Sequence, residues 1–310
     1  MRYGRIALLL FITSASSTSW GVPAAPIEVT LTHSDTGEEF LAIPRGDEHA
    51  NWMETADGYT IVQSHGVWFY ATQNPAGALI ASQSRVGSLS AQQRAALTPH
   101  LRPPAASSEE HFPVPLSVDG ARSTRSVRTQ PLLTVLVDFN NISFQYSDAS
   151  FQSRVYGASA SVRHFFLENS YGNLSVVPAQ ETYGTANDGV VHIQMGTNHP
   201  NGGRAWQSVA ISYVNATDPY VNYAAYDTDS DGIVAAHELS IMIILAGYEN
   251  SFGGSSSLQP RVWGHKSSMS PSLTLDGKSL APYTMFGERM ATSLANQRQC
   301  DLVAITGDLL

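Results

Sequence analysis

A single cysteine, Cys300, stands among the 310 residues, so no disulfide can form within the chain. Charge is scarce too: Asp, Glu, Lys and Arg make up 14% of the residues, with a formal balance of -9. Nucleic-acid binding needs clustered Lys and Arg to displace counterions, so this composition excludes a phosphate-reading surface as a leading idea. Long apolar runs are missing. Ile6 to Ile12 and Leu239 to Tyr248 both fall far short of the ~20 residues that cross a bilayer. The ten histidines (His33, His49, His65, His100, His111, His164, His192, His199, His237 and His265) include no two spaced by four. That removes H-E-x-x-H, in which two imidazoles one helical turn apart hold zinc and the glutamate activates water. His237-Glu238 begins the motif, but Ile241 stands where its second histidine belongs. A G-x-S-x-G elbow, a P-loop and a G-x-G-x-x-G turn are absent as well.

What is present starts at the N-terminus. Arg2 and Arg5 precede the apolar run, and Ser19-Trp20-Gly21 closes it with small residues around a tryptophan. This is the order of a secretory signal peptide, expected over 1–21 with the cut after Gly21. It predicts a secreted protein that leaves the membrane once the leader is removed. A secreted fold without disulfides needs other staples, and bound metal is a common one.

Residues 22–102 read as a small β-rich module. Ile27 to Thr32 alternates with period two, and Phe40 to Ile43 follows a turn at Asp35-Thr36-Gly37. Tyr59 to Gln63 and Val67 to Ala71 predict a hairpin across Ser64-His65-Gly66. Over 103–130 the texture turns to Pro, Ser and Ala, the composition of a solvated linker. Its spaced Arg122, Arg125 and Arg128 suit either a processing site or a plain basic linker. A second module opens at Leu132 to Phe139, an apolar run that predicts a fully buried strand. Helices are expected at Ser161 to Asn169 and Arg204 to Val214, and strands at Leu174 to Val177, Leu239 to Ala246 and Arg261 to Gly264. The sum is an α+β fold with a mixed sheet.

The sharpest motif runs from Asp227 to Glu238 and fits D-x-D-x-D-G-x₅-E at every required position. A hard cation takes six to eight oxygens. Asp227, Asp229 and Asp231 would offer carboxylates, Ile233 its carbonyl, and Glu238 both oxygens. Gly232 permits the left-handed turn around the ion. Calcium is the expected ion. The Ile-rich stretch after Glu238 reads at least as well as a strand as a helix, so a lone rigidifying loop is expected, not a paired sensor. The bland alternative is a solvated acidic turn. His265, in Val262-Trp263-Gly264-His265-Lys266, could line a cleft, though a histidine in such a setting is more often structural.

Several segments, in order, resemble the immune inhibitor A family of secreted zinc metallopeptidases, the M-six group. Arg45-Gly46-Asp47-Glu48, Trp52, Glu54-Thr55, Asp57-Gly58-Tyr59 and Trp68-Phe69-Tyr70-Ala71 are similar to its propeptide. Val135 to Phe139 is similar to its opening core strand. Ser161-Val162-Arg163, Phe165-Phe166 and Glu168-Asn169-Ser170-Tyr171-Gly172 are similar to its helix and turn. The Asp-rich loop through Ala246-Gly247-Tyr248-Glu249, and Trp263-Gly264-His265, follow in family order. The resemblance implies a propeptide-like module at 22–102 and the N-terminal mixed-sheet half of a zincin-like domain at 131–289. In the complete family member it implies zinc-dependent hydrolysis of protein or peptide substrates. The resemblance ends at Arg289, before the zinc helix. No zinc ligand or catalytic residue has a counterpart here, so no catalytic residue is assigned. The tail 290–310 is therefore expected to be foreign to the fold and unstructured around Cys300, with the chain an inactive precursor fragment. The alternative is a non-catalytic secreted calcium-binding or interaction protein on the same scaffold, with an ordered C-terminus.

Overall fold

A computed structural model describes residues 24–25, 27–47, 50–104, 127–201, 206–252, 258–291 and 293–303. The expected leader and Arg122 and Arg125 of the linker lie outside them. Two sheets with separate cores carry the chain.

The first is a six-stranded antiparallel meander in sequence order: β1 (Val29–Thr32), β2 (Glu39–Gly46), β3 (Asn51–Thr55), β4 (Thr60–Ser64), β5 (Val67–Gln73) and β6 (Leu79–Arg85). Period-two alternation sends Val29, Leu31, Ala42, Ile61 and Tyr70 into one small core closed by Val86. The predicted hairpin is β4–β5, with Ser64 opposite Val67. Its tip has His65 at φ 50° and Gly66 at φ 80°, two left-handed residues whose twist matches the flanking strands. A single helical turn, α1 (Ala91–Arg94), follows. Ser90 caps it by accepting the Gln93 N–H, and the Gln93 side chain accepts the Ser90 N–H in return.

The second sheet has nine strands among the described residues. In chain order its elements are β7 (Arg128–Asp138), α2 (Asp148–Tyr156), α3 (Val162–Asn169), β8 (Leu174–Pro178), β9 (Val190–Gln194), α4 (Trp206–Asn215), β10 (Ile233–Val234), β11 (Ser240–Glu249), β12 (Arg261–Val262), β13 (His265–Leu275), β14 (Lys278–Met290) and β15 (Arg298–Gln299). β11 lies at the centre, parallel to β7 on one side and to β14 on the other. β13 and β15 pair antiparallel with β14, which makes the sheet mixed.

All ten residues of β11 are buried, because both faces of the sheet are covered. Leu133, Val135, Ile241, Ile243 and Met285 point to a core with Ala210, Tyr213 and Val214 of α4. Leu132, Leu136, Met242, Ile244 and Phe286 point the other way, to Phe151 and Val155 of α2 and Val162 of α3. Ser161 starts α3 by accepting the His164 N–H.

Three sequence expectations change. The expected linker reaches Gln130, but Arg128 to Gln130 already belong to β7, where they pair with Leu174 to Val176 of β8. The apolar stretch at 239–246 extends to Glu249, while the strand at 261 is two residues long. The tail is not loose around Cys300. β15 pairs with Arg289 and Met290, the Cys300 N–H donates to the Glu288 carbonyl at 2.7 Å, and Cys300 and Leu302 fill the α2/α3-side core. Periodicity gives no hint of this because the segment supplies only two apolar plugs.

Candidate metal centre

The Asp-rich loop is built between two fixed points. A 3-10 turn, Tyr223–Tyr226, delivers Asp227 at its end, with the Tyr223 N–H anchored on Asp276 at 2.8 Å. At the other side, β10 pairs in parallel with Ser279 and Leu280 of β14. Between them the backbone curls on itself. Ser230 takes φ 64° and Gly232 φ 89°, the left-handed region where glycine alone is free of strain. Each aspartate then accepts a backbone N–H from further along the loop. Asp227 accepts from Asp231 and Gly232 at 3.1 Å each, Asp229 from Asp231 at 3.2 Å, and Asp231 from Ile233 at 2.7 Å.

These bonds turn the three carboxylates toward one another. One oxygen from each of Asp227, Asp229 and Asp231 lies within 4.8 Å of the others. An all-oxygen set at that spacing fits a hard divalent ion with small side-chain rotations. Glu238 does not join that trio but is preset beside it. One oxygen accepts from the Thr228 N–H (2.6 Å) and hydroxyl (2.7 Å), the other from the Ala235 N–H (3.0 Å). Ile233 begins β10 with its side chain outward, as a residue offering only its carbonyl would. Ala235, at the ninth loop position, has no side-chain oxygen, so a water would complete a shell there.

Sequence reasoning missed two members of the site. Lys278, the first residue of β14, places its ammonium 2.6 Å from Asp227 Oδ2. It lies 51 residues away, and only the parallel β10–β14 pairing brings it in. His237 is the second. Asp229, His237 and Glu238 also present one ligand atom each within 4.8 Å. The signal for it was present, since His237 adjoins Glu238, but the imidazole is not part of the calcium pattern.

The electrostatics follow from these partners. The Lys278 hydrogen bond holds the Asp227 carboxyl below its ordinary pKa. For Glu238, burial pushes the pKa up, but the hydrogen bonds from Thr228 and Ala235 outweigh it and the net shift is downward. Both groups are thus held as anions, the form a cation requires.

No protein-family profile matches this sequence, and no curated protein matches it. The site must be read from its own chemistry.

Several other buried polar groups act as staples. Glu249 is buried and accepts N–H bonds from Ser251, Gly264 and Gly287 at 2.8–3.0 Å, and burial still pushes its carboxyl pKa up. Glu288 accepts from the Gln145 and Tyr146 N–H groups at 2.6 and 3.0 Å. Arg289 stacks over the Tyr248 ring at 4.2 Å and donates to Gln297 at 2.9 Å. His265 is buried, with Nδ1 2.7 Å from the Trp263 carbonyl and Nε2 3.2 Å from the Tyr283 hydroxyl. Both ring nitrogens are engaged within the fold, the structural role expected from sequence. Cys300 is fully buried, and burial pushes its thiol pKa up, away from the thiolate that a nucleophile needs.

Proposed function

We propose that this chain is a secreted calcium-binding protein built on the scaffold of a zinc metallopeptidase precursor of the immune inhibitor A type, and that it does not itself cleave peptide bonds. One observation carries the calcium reading: the carboxylates of Asp227, Asp229 and Asp231 converge within 4.8 Å on a loop already curled by their own N–H bonds. Calcium would be held by those three side chains, the Ile233 carbonyl and Glu238. Its effect would be to offset the mutual repulsion of four carboxylates and so lock β10 against β14.

A different observation favours the precursor ancestry. A small β sheet with its own core precedes a mixed sheet with helices on both faces, as a propeptide followed by a zincin-like domain would. The packed residues Cys300 and Leu302 favour a segment around Cys300 that belongs to the fold over one foreign to it. Export follows from the leader-like N-terminus. Among the described residues no helix is long and apolar enough to cross a membrane.

Differential scanning calorimetry of the full chain tests the calcium reading. Calcium at saturating concentration is expected to raise the unfolding temperature of the larger sheet, and chelator to lower it, while Asp231→Asn removes the difference. Identical melting curves with calcium and with chelator would sink it. Casein hydrolysis with and without a zinc chelator tests the rest, since zinc-dependent turnover by the purified chain contradicts a non-catalytic role.

A further inference from the structure

Two donors on the larger sheet lack an acceptor, and one asparagine ties them together. His199 is the first. Its Nδ1 accepts the Asn201 N–H at 2.9 Å, so the neutral ring carries its proton on Nε2. That nitrogen is buried and has no hydrogen-bond partner. Leaving a donor unpaired in a protein interior is costly, and few native folds do so without a reason. Arg261 is the second. It is half-buried, and its guanidinium has no ion-pair or hydrogen-bond partner among the described residues. Burial alone acts on its charge and pushes its pKa down. Buried charges are paired as a rule, because their desolvation otherwise goes uncompensated.

The two deficits adjoin. Asn201, held at φ 46°, gives its N–H to His199, and its Oδ1 accepts the Arg261 N–H at 3.1 Å. Pro260 precedes Arg261, and its carbonyl faces Gly247. A Cβ on Gly247 would sit 2.7 Å from that carbonyl oxygen and 3.7 Å from His199 Nε2. The imidazole N–H therefore borders the backbone that carries Arg261. Rings flank it: Phe139 at 4.8 Å and Trp206 at 6.3 Å between centroids. Phe139 follows the last residue of β7, and Gly247 lies near the end of β11. Sheets with parallel strands collect their ligands at these carboxyl ends. A neutral N–H and a guanidinium together match one anion with two oxygens, and aromatic rings suit an apolar body beside it. Phosphate carries more charge and no apolar part, so it fits less well. We propose that His199 Nε2 and Arg261 bind the carboxylate of a small aromatic acid, or of a peptide ending in an aromatic residue, beside Trp206. The His199 N–H donates to one oxygen and the guanidinium pairs with the other. No residue of the Asp-rich loop takes part, so the site is independent of the calcium reading.

Isothermal titration of the full chain tests it, with benzoate as the free acid and N-acetylphenylalanine as the peptide terminus. Benzamide and N-acetylphenylalanine amide keep the rings and lose the charge. One carboxylate per chain is expected, with both amides binding far more weakly. Tighter binding of N-acetylphenylalanine assigns the peptide source, and tighter binding of benzoate the free acid. His199→Phe, which keeps a ring against Phe139 and Trp206, should weaken binding by at least roughly tenfold, as loss of a charge-assisted hydrogen bond does. Arg261→Gln should do the same, with melting curves checking that both variants fold. In the wild-type chain the NMR signal of the His199 Nε2 proton should move downfield as carboxylate is added, so the outcome does not depend on either variant folding. Amides that bind as tightly as the acids, an Nε2 proton that does not respond, affinity indifferent to both substitutions, or no binding at millimolar concentration overturns the proposal.

Discussion

His199 shows how a single ring sets a pH limit on this fold. It lies 4.8 Å from Phe139 and 6.3 Å from Trp206 between ring centroids, and it is buried. Its Nδ1 accepts the Asn201 N–H at 2.9 Å, so the neutral ring carries its proton on Nε2, which has no partner among the described residues. Burial pushes its pKa down to about 4. An unfolded histidine titrates near 6.5, so between that pH and about 4 the unfolded chain takes up a proton that the folded chain refuses. Stability should therefore fall as pH drops through this window, by on the order of 3 kcal/mol at pH 4. Buried Glu249 and Glu288, whose pKa values burial raises, act with the opposite sign. The comparison must then be between wild type and His199→Phe. Urea denaturation at several pH values should show a shallower acid loss in the variant, and parallel curves would rule out His199 as the cause.

At the level of elements, the seam between β11 and β14 depends on one residue without a side chain. Their register shifts between Leu245 and Tyr248, and the backbones crowd there. A Cβ on Gly287 would lie 2.5 Å from the Tyr248 carbonyl carbon and 2.6 Å from the Glu249 nitrogen. Backbone on both sides cannot give way as a side-chain end can. Gly287→Ala should cost about 1–3 kcal/mol of unfolding free energy, the usual range for overpacking. A loss below about 0.5 kcal/mol, the level of ordinary surface changes, would show that the seam is looser than described. Elements of this kind divide sharply by how much of them the sequence displays. β1, the β4–β5 hairpin, α3, β8 and β11 are legible because alternation, a short glycine-containing turn, an apolar helical face (Val162, Phe165, Phe166) or an apolar run marks each one locally. β14 is not, since Pro282 and Gly287 break its pattern and its length is sustained by β11 and β13 on either side. β13 is hidden for another reason: Lys266, Ser270, Pro271 and Ser272 face outward, so its composition reads as a loop. The Asp-rich loop is legible in its carboxylates, which share one short stretch, and not in Lys278, which arrives through sheet pairing.

For the whole molecule, the tail is the last piece of the larger sheet's packing. Leu302 is almost fully buried against the core that holds Phe286 and Cys300. Leu302→Ala should cost about 2–5 kcal/mol if that packing holds, read by chemical denaturation of the full chain. A cost near zero would restore the expectation of a tail foreign to the fold. The same feature bears on the order of assembly. Strand β7 lies at the start of this sheet and the plugs Cys300 and Leu302 come more than 160 positions later, counted from Asp138 to Cys300. A chain emerging from a ribosome or a translocation pore would present Phe151, Val155 and Phe286 to solvent until those final plugs arrive. Closure of that face is thus a late event, since it waits on a segment made long after the strands and helices it covers.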